Sequence, residues 1–403
     1  MFFKKKRTYL DHASTTPMDT RVISAMRDIY VAEYYNPGSL AREGVAAKAL
    51  VIDARKRAAI LISAQPGQIY FSRGGTESIS TAIQGVMSRA IRTGFTSIPH
   101  IITSVIEHPA VLETVASLES RGLCTVTRVP VSSDGIISLD ELKKSLRPET
   151  VLVSVQYANN EIGTIQPISE IAKLIRQFRK ANSYKLTAIS YPLFHTDAVQ
   201  AVNYLDLHVD RLGVDLLSIS GSKIYGPKAS GILFVRRRDI LDPVLYGGGQ
   251  EGGVFPGTED VAVIFGFTRS LEVARELALS ESVRLTTLRD HIITSVKTIS
   301  DVSLNGSETD RLPNNIHISV SGIESERLVL ELDAAGFAVS SKSACKSDVE
   351  GISHVLAAIG KTASSAIRAD IRISLGRSTT SRDIDRFLSV FQKIVVRLRS
   401  EHT

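Results

Sequence analysis

The sequence predicts an α/β fold, in which a large domain with a mostly parallel sheet flanked by helices is followed by a smaller α+β domain. In the middle of the chain, short runs rich in β-branched residues alternate with amphipathic stretches, a pattern typical of sheets covered by helices on both faces. From about residue 270 onward, long helical stretches separate a few strands. A chain of 403 residues is long enough for two domains. We therefore predict a large domain at 16–265 and a small domain at 266–403 that also includes residues 1–15.

The alternation of strands and helices defines the individual elements. Strands are predicted at 100–108, 124–131, 151–157, 214–220, 231–237 and 315–320. Helices are predicted at 79–89, 110–121, 139–146, 168–181, 270–300, 326–335 and 381–399, the last with a single apolar face. Because ligands of such sheets bind beyond the carboxyl ends of the strands, functional side chains are expected there.

Composition and charge exclude several classes of protein. Hydrophobic residues make up 43% and charged residues 22% of the chain, which is ordinary for a globular protein. The net charge is +6, but the basic residues are spread over several predicted helices and do not form one basic stripe. Direct nucleic-acid binding is therefore not expected. The two cysteines, Cys124 and Cys345, do not make a disulfide framework and fit a reducing compartment. With no apolar stretch of membrane-spanning length and no secretory signal pattern, we expect a cytoplasmic protein that does not bind membranes.

A glycine turn precedes the predicted helix at 79–89. Gly74 and Gly75 let the backbone turn sharply after a strand-like run, and Thr76 can cap the helix. The free N–H groups at such a helix N-terminus form an anion site. Taken alone, an ordinary strand-to-helix turn is the more frequent interpretation.

A carboxylate and an amine follow two β-like runs. Asp197 ends one of them, and Lys223 comes directly after the predicted strand at 214–220. If both strands belong to one parallel sheet, the two side chains emerge at the same edge. The carboxylate can then keep a pyridine nitrogen protonated while the lysine forms an imine with the aldehyde of pyridoxal phosphate (PLP). A structural ion pair and a loop lysine are the alternative.

Three further side chains have useful chemistry. His108 ends a predicted strand and could stack on a flat cofactor and move protons, or it is a hydrogen-bonded loop histidine. Cys345 lies among small polar residues and lysines, which is typical of an exposed loop that favours thiolate, or it is an incidental surface cysteine. Arg372 lies inside a β-like run, where a substrate carboxylate or an internal Asp or Glu would supply its partner. Cys124 begins an apolar run and is assigned to the core. The histidines lack metal-ligand spacing, so no metal site is predicted.

In their order along the chain, these segments resemble the cysteine desulfurases of PLP fold type I, which have a large domain with a seven-stranded type of sheet. The resemblance extends from about residue 9 to residue 399. The matching segments are 9–17 (YLDHASTTP), 75–78 (GTES), 107–108 (EH), 159–163 (NNEIG), 196–200 (TDAVQ), 220–228 (SGSKIYGPK), 257–258 (GT), 343–345 (SAC) and 371–377 (IRISLGR).

The resemblance implies a homodimeric PLP enzyme that converts L-cysteine to L-alanine and forms a persulfide on Cys345. It implies that Lys223 holds PLP, that Asp197 pairs with the pyridinium nitrogen and that His108 stacks on the ring. Further residues implied at the cofactor are Gly75, Thr76, Asn160, Gln200, Ser220, Ser222 and, from the partner subunit, Thr258. Those implied at the substrate are Arg372, which binds the carboxylate, and Asn36. The sulfur would pass to an acceptor protein for iron–sulfur clusters, thiolated tRNA or cofactors, and the sequence does not name that acceptor.

The chain departs from the family pattern near the implied cofactor. Ser222 stands where the family has histidine before the lysine, and Phe255 and Pro256 replace its Arg-Ser pair. The hydroxyl of Ser222 can still bond a phosphate, so PLP binding is expected to survive but to be weaker. The change to Phe255 and Pro256 removes positive charge near the cofactor. Two alternatives therefore stay open: a related PLP lyase or aminotransferase, for example one acting on selenocysteine, and a weakened PLP-binding interaction subunit.

Overall fold

A computed structural model of the chain describes residues 7–93, 97–182, 189–341, 353–361 and 367–401. The strands within these residues are β1 Thr8–Tyr9, β2 Ile69–Ser72, β3 His100–Ser104, β4 Thr125–Val129, β5 Thr150–Ser154, β6 Leu193–Asp197, β7 Leu216–Ser220, β8 Gly231–Val235, β9 Val302–Leu304, β10 Asn315–Ser321, β11 Phe337–Ala338 and β12 Arg368–Ser374. The α-helices are α1 Thr20–Ala32, α2 Arg42–Leu61, α3 Gly75–Arg92, α4 Pro109–Ser120, α5 Leu139–Ser145, α6 Ile168–Ala181, α7 Val209–Leu212, α8 Val261–Lys297, α9 Ser325–Ala334, α10 His354–Ala358 and α11 Ser381–Ser400.

A seven-stranded sheet with the order β2-β8-β7-β6-β5-β3-β4 forms the centre of the molecule. The pairs from β7 across to β4 are all parallel, whereas β8 runs antiparallel to both β7 and β2. Every residue of β3, β5, β6, β7 and β8 is buried, as expected for strands covered on both faces. The predicted α/β fold with a mostly parallel sheet is confirmed.

Successive residues of the central strands pack alternately into two apolar clusters, one on each face of the sheet. Leu152 packs in the cluster that contains residues of α3 and α4, and its neighbour Val153 packs in the cluster that contains residues of α2 and α6. This alternation follows from the two-residue period of a strand. Cys124 is buried in the first of these clusters, which confirms its assignment to the core.

The C-terminal part of the chain has its own sheet and its own core. Strands β9, β10 and β12 form an antiparallel sheet, and β1 pairs with β11 in parallel. The apolar faces of α9 and α11 pack in this core. The 37-residue helix α8 joins the two regions, because its residues up to Ala274 pack in a large-sheet cluster and those from Leu285 pack in the C-terminal core. The predicted boundary at 265/266 falls inside α8, and the division into domains remains a proposal.

Several predicted element boundaries were wrong. Strand β3 ends at Ser104 rather than at residue 108, because His108 is the N-cap of α4. Helix α3 begins at Gly75 rather than at residue 79, directly after Gly74 with φ +127°. Helix α8 begins at Val261 rather than at residue 270, where Asp260 accepts a hydrogen bond from the Val263 N–H at 3.0 Å. The first residues of α8 form an apolar run that periodicity alone does not distinguish from a strand.

None of the helices in the described residues is both long enough and apolar enough to cross a membrane. Within the same residues, no group of three or more His, Cys, Asp or Glu side chains is placed to hold a metal ion.

Candidate active site

A cavity of about 200 Å³ lies beyond the carboxyl ends of the parallel strands. It is bordered by ends of elements that the sheet topology brings together from distant parts of the chain. Its lining residues are Ala13, Ser14, Gly75, Thr76, Ile79, His108, Gln156, Ala158, Asn160, Asp197, Val199, Gln200, Ser220, Ser222, Lys223 and Arg372.

Asp197 and Lys223 reach this cavity from neighbouring strands. Strands β6 and β7 are parallel, with Asp197 opposite Ser218, and Lys223 ends the single 3₁₀ turn Gly221–Lys223 that follows β7. The Lys223 ammonium donates to the backbone carbonyl of Ser14. Burial raises the pKa of Asp197 to about 6, against the opposing effects of the Val199 N–H and the positive charge of Lys223. The predicted convergence of the carboxylate and the amine on one cavity is therefore observed.

One end of the cavity offers backbone N–H groups and neutral hydroxyls. We call Gly75, Thr76, Ser220 and Ser222 the hydroxyl corner. A Cβ atom on Gly75 would lie 2.9 Å from Val199 Cγ2, so glycine is needed for this close approach of α3 to the strand ends. The Ser220 and Ser222 hydroxyls lie 3.1 Å apart. Because the N-terminus of α3 carries N–H groups that the helix itself does not use, this corner suits a phosphate.

His108 enters the cavity in a defined protonation state. Its Nδ1 accepts a hydrogen bond from the Ala110 N–H at 3.0 Å, and Pro109 occupies the first position of α4. Burial, together with the neighbouring charge of Lys223, lowers the pKa of His108 to about 4. The ring is thus neutral near pH 7, and since Nδ1 accepts, its proton resides on Nε2.

A buried carboxyl supports the loop beside His108. Glu107 accepts hydrogen bonds from the Ser104 hydroxyl and, at 2.9 Å, from the Gln156 N–H. Burial raises the pKa of Glu107 to about 8. Gln156 in turn donates from Nε2 to the Ile106 carbonyl at 2.7 Å. Sequence reasoning gave neither Glu107 nor Gln156 a role, although Gln156 falls at the end of a predicted strand, where ligands bind.

The opposite end of the cavity contains a buried guanidinium with several partners. We call Asp11, Ser14, Asn160 and Arg372 the arginine cluster. Arg372 Nη1 donates to the Asn160 carbonyl at 2.9 Å, and Nη2 donates to Asp11 Oδ1 at 2.8 Å and to Ser14 Oγ at 2.6 Å. Asp11 is therefore the internal acid that the sequence left open as a partner for this arginine. Neither Asp11 nor Ser14 was assigned a role from sequence, although both lie in the matching segment 9–17.

Gln200 also reaches the cavity, whereas two predicted site residues do not. Gln200 lines the cavity and donates from Nε2 to the Ala13 carbonyl at 3.1 Å. Asn36 is exposed and accepts from the Gly38 N–H at 2.8 Å. Thr258 is exposed and lines a separate cavity of about 320 Å³ together with Arg73. Cys345 lies outside the described residues.

The residues on either side of 342–352 contact the rim of the cavity. The backbone of Ser340 pairs with that of Arg372, with N···O distances of 3.2 and 2.7 Å. On the other side, the Ser353 hydroxyl donates to Glu161, and His354 Nε2 lies 3.0 Å from the Glu107 carbonyl. Both flanks of the segment that contains Cys345 are thus anchored next to cavity residues.

Comparison with known proteins decides the family. The aminotransferase class-V model matches residues 8–387. The cysteine desulfurase IscS of Dictyoglomus turgidum is 42% identical over 98% of this chain and 96% of its own length. The chain belongs to the cysteine desulfurases of the class-V aminotransferase family. The IscS of Methanosarcina thermophila is 41% identical to this cysteine desulfurase over 98% of the chain and 94% of its own length.

Solved structures agree with this assignment. A NifS-like protein superimposes on this cysteine desulfurase with a TM-score of 0.87 at 33% identity, covering 97% of this chain and all of the other. SspA, solved in complex with cysteine, gives a TM-score of 0.76 at 32% identity over 91% of this chain and 98% of its own. The predicted fold type I and the predicted membership of the cysteine desulfurases are confirmed. The family depends on PLP.

Proposed function

We propose that this cysteine desulfurase binds PLP in the cavity and converts L-cysteine to L-alanine while Cys345 becomes a persulfide. The observation that carries the proposal is the convergence of Lys223 and Asp197 on one cavity that also contains the hydroxyl corner. An amine for the aldehyde, a carboxylate for the pyridine nitrogen and an anion site for the phosphate match the three polar groups of PLP. When bound, PLP supplies an electron sink for the bonds of the substrate's α-carbon.

The protein groups divide the remaining tasks. Asp197 stays ionised against the effect of its burial when a cation lies beside it, so a protonated pyridine nitrogen suits this position. With its proton on Nε2, His108 can stack on the cofactor and donate a hydrogen bond from Nε2 to a group in the cavity. Gln200 and Asn160 line the same cavity and can orient the ring. In this proposal, Arg372 binds the α-carboxylate of the substrate, because its guanidinium lines the same cavity.

Cys345 completes the reaction in this proposal. Its thiolate attacks the sulfur of the bound cysteine, the substrate's Cβ–S bond breaks, and the carbon takes up a proton to give alanine, while the sulfur remains on Cys345 as a persulfide. The contacts of Ser340 with Arg372 and of His354 with Glu107 support this role, because Arg372 lines the cavity and Glu107 directly precedes the lining residue His108.

The proposal extends to the assembly. We propose a homodimer in which Thr258 of the partner subunit reaches the hydroxyl corner, since Thr258 is exposed and does not line the cavity of its own chain. Light scattering tests the dimer, and a Thr258→Val variant should bind PLP more weakly. We also place the enzyme in the cytoplasm, where a persulfide can be passed to an acceptor protein.

Incubation of the PLP-loaded protein with L-cysteine tests the activity. We expect alanine to form and the mass of one sulfur atom to appear on the peptide that contains Cys345. A Cys345→Ala variant should lose both signals, whereas Cys124→Ala, which removes the buried thiol of the core, should keep them. Alanine formed by Cys345→Ala at the parent rate would contradict the assigned nucleophile. Turnover by the purified chain would exclude an inactive PLP-binding subunit, the alternative that Ser222 keeps open.

A further inference from the structure

We infer that the hydroxyl of Ser14 binds the substrate's α-carboxylate together with Arg372, and that Asp11 positions Arg372 from outside the cavity. This inference rests on the proposed function and extends it to residues that neither motif reasoning nor the comparisons assign.

The hydrogen bonds of Arg372 leave its buried Nε–H without a partner among the described residues. The side chain of Arg372 is 3% exposed, and its Nη1 and Nη2 groups bond Asn160, Asp11 and Ser14. A buried N–H of a cation that lacks a partner is costly, so an acceptor is expected there when the site is in use.

Two members of the cluster, Ser14 and Asp11, differ in their access to that acceptor. Ser14 and Arg372 both line the cavity, whereas Asp11 does not. Asp11 therefore holds the guanidinium from behind, and an incoming carboxylate meets Arg372 on the side of Ser14. Because Asp11 can stay in place when substrate binds, it is a positioning residue rather than a competitor for the cavity side.

The Ser14 hydroxyl is oriented for a second hydrogen bond. Its oxygen accepts from Arg372 Nη2 at 2.6 Å, so its own proton must point to another acceptor. Within the described parts of the chain, no acceptor of that proton is found. A carboxylate that accepts from Arg372 Nε would offer one, and donation by a hydroxyl that is polarised by a guanidinium is strengthened.

Ser14 lies between Lys223 and Arg372, the two cationic side chains among the residues that line the cavity. Its carbonyl accepts from Lys223 Nζ, while its side chain bonds Arg372. The segment that contains Ser14 is tied to the end of β12, because the Ala13 N–H donates to Ser374 Oγ at 2.9 Å and the His12 N–H to the Ser374 carbonyl at 3.3 Å. Ser14 thus ties the proposed carboxylate site to the amine of Lys223 through its own backbone and side chain.

A pair of probes that differ in the carboxylate tests this inference. L-alanine and ethylamine both lack sulfur and so cannot be desulfurated, and their binding to the PLP-loaded protein is followed by the shift of the cofactor absorption band. We expect Ser14→Ala to weaken L-alanine binding by roughly tenfold and to leave ethylamine binding unchanged. Ser14→Thr, which keeps the hydroxyl, should restore L-alanine binding, and Thr15→Ala is a matched control on the same segment.

The outcomes separate this inference from the proposed function. If Ser14→Ala weakens both probes equally, Ser14 is structural, and if it weakens neither, its hydroxyl does not contact the carboxylate; either result overturns the inference while wild-type turnover of L-cysteine stands. If the wild type itself forms no alanine from L-cysteine, the proposed function fails instead.

Discussion

The hydroxyl corner and the arginine cluster border the same cavity, but they are built from different chemistry. The hydroxyl corner uses backbone N–H groups, two serines at and just after the end of β7, and a glycine and a threonine at the start of α3. The arginine cluster places a guanidinium that is 3% exposed against a carboxylate 361 residues away along the chain. The hydroxyl corner is neutral until an anion binds there. In the arginine cluster, the charge of Arg372 is already balanced by Asp11 before a ligand binds.

This difference has an energetic consequence. Removing a neutral hydroxyl from a partly exposed corner costs at most a hydrogen bond, but removing one partner of a buried ion pair leaves the other charge uncompensated. The two ends of the cavity should therefore respond differently to substitution. Changes in the hydroxyl corner should alter the affinity for the cofactor, whereas changes in the arginine cluster should alter both the affinity for the substrate and the stability of the fold.

Arg372→Met is expected to show the largest effect. The KM for L-cysteine should rise by roughly 100-fold because the carboxylate loses its cation. The free energy of unfolding should fall by about 3 kcal/mol because Asp11 is left without its partner. Steady-state kinetics and urea unfolding measure the two quantities. Adding Asp11→Asn should recover part of the stability but not the KM, and full recovery of both would show that the cluster does not bind substrate.

The second-largest effect is expected from the buried carboxyl of Glu107, which should make the free energy of unfolding depend on pH. The hydrogen-bond partners of Glu107 among the described residues are neutral, and burial raises its pKa from 4.5 to about 8. The folded protein therefore keeps a proton that the unfolded chain has lost, so this contribution to stability is complete below pH 4.5 and disappears as the pH rises through 8. Between these values, Glu107 should lower the free energy of unfolding by about 1.4 kcal/mol per pH unit.

Glu107→Gln tests this pH dependence, because glutamine has nearly the same shape as a protonated glutamate but does not titrate. The variant should lose less stability than the wild type between pH 5 and pH 8, as measured by urea unfolding of the cofactor-free protein across that range. Identical slopes in the two proteins would show that Glu107 is ionised in the folded state.

Ser222→His is expected to show the smallest effect, confined to the hydroxyl corner. A histidine beside the phosphate site should tighten PLP binding by up to about tenfold, because it offers a hydrogen bond to a charged group. Ser222→Ala should change the affinity in the opposite direction. Titration of the cofactor-free protein with PLP measures both, and an equal affinity in all three proteins would show that residue 222 does not contact the phosphate.

The sequence predicted those features that depend on local pattern. The helix at 168–181 has the predicted bounds, because its apolar residues recur with a clear helical period. The convergence of Asp197 and Lys223 was predictable because the carboxyl ends of parallel strands meet at one edge of the sheet. The functional assignments of these residues remain proposals.

The remaining features depend on contacts between distant segments, which periodicity does not encode. That Asp11 rather than another acid pairs with Arg372 is decided by the packing of the N-terminal segment against β12. Glu107 lies buried in the turn between β3 and α4, where the sequence predicted a strand, and it bonds Gln156 from a distant segment. Asn36 and Thr258 were assigned through family resemblance alone, and neither lines the cavity of the single chain.

The most direct test of the central claim is borohydride reduction of the PLP-loaded protein, followed by mass spectrometry of its peptides. Reduction fixes the cofactor covalently to the amine that holds it. We predict that the pyridoxyl mass appears on the peptide that contains Lys223 and is absent from the same peptide in a Lys223→Ala variant. A label on a different lysine, or none in a protein that has been saturated with PLP, would contradict the account.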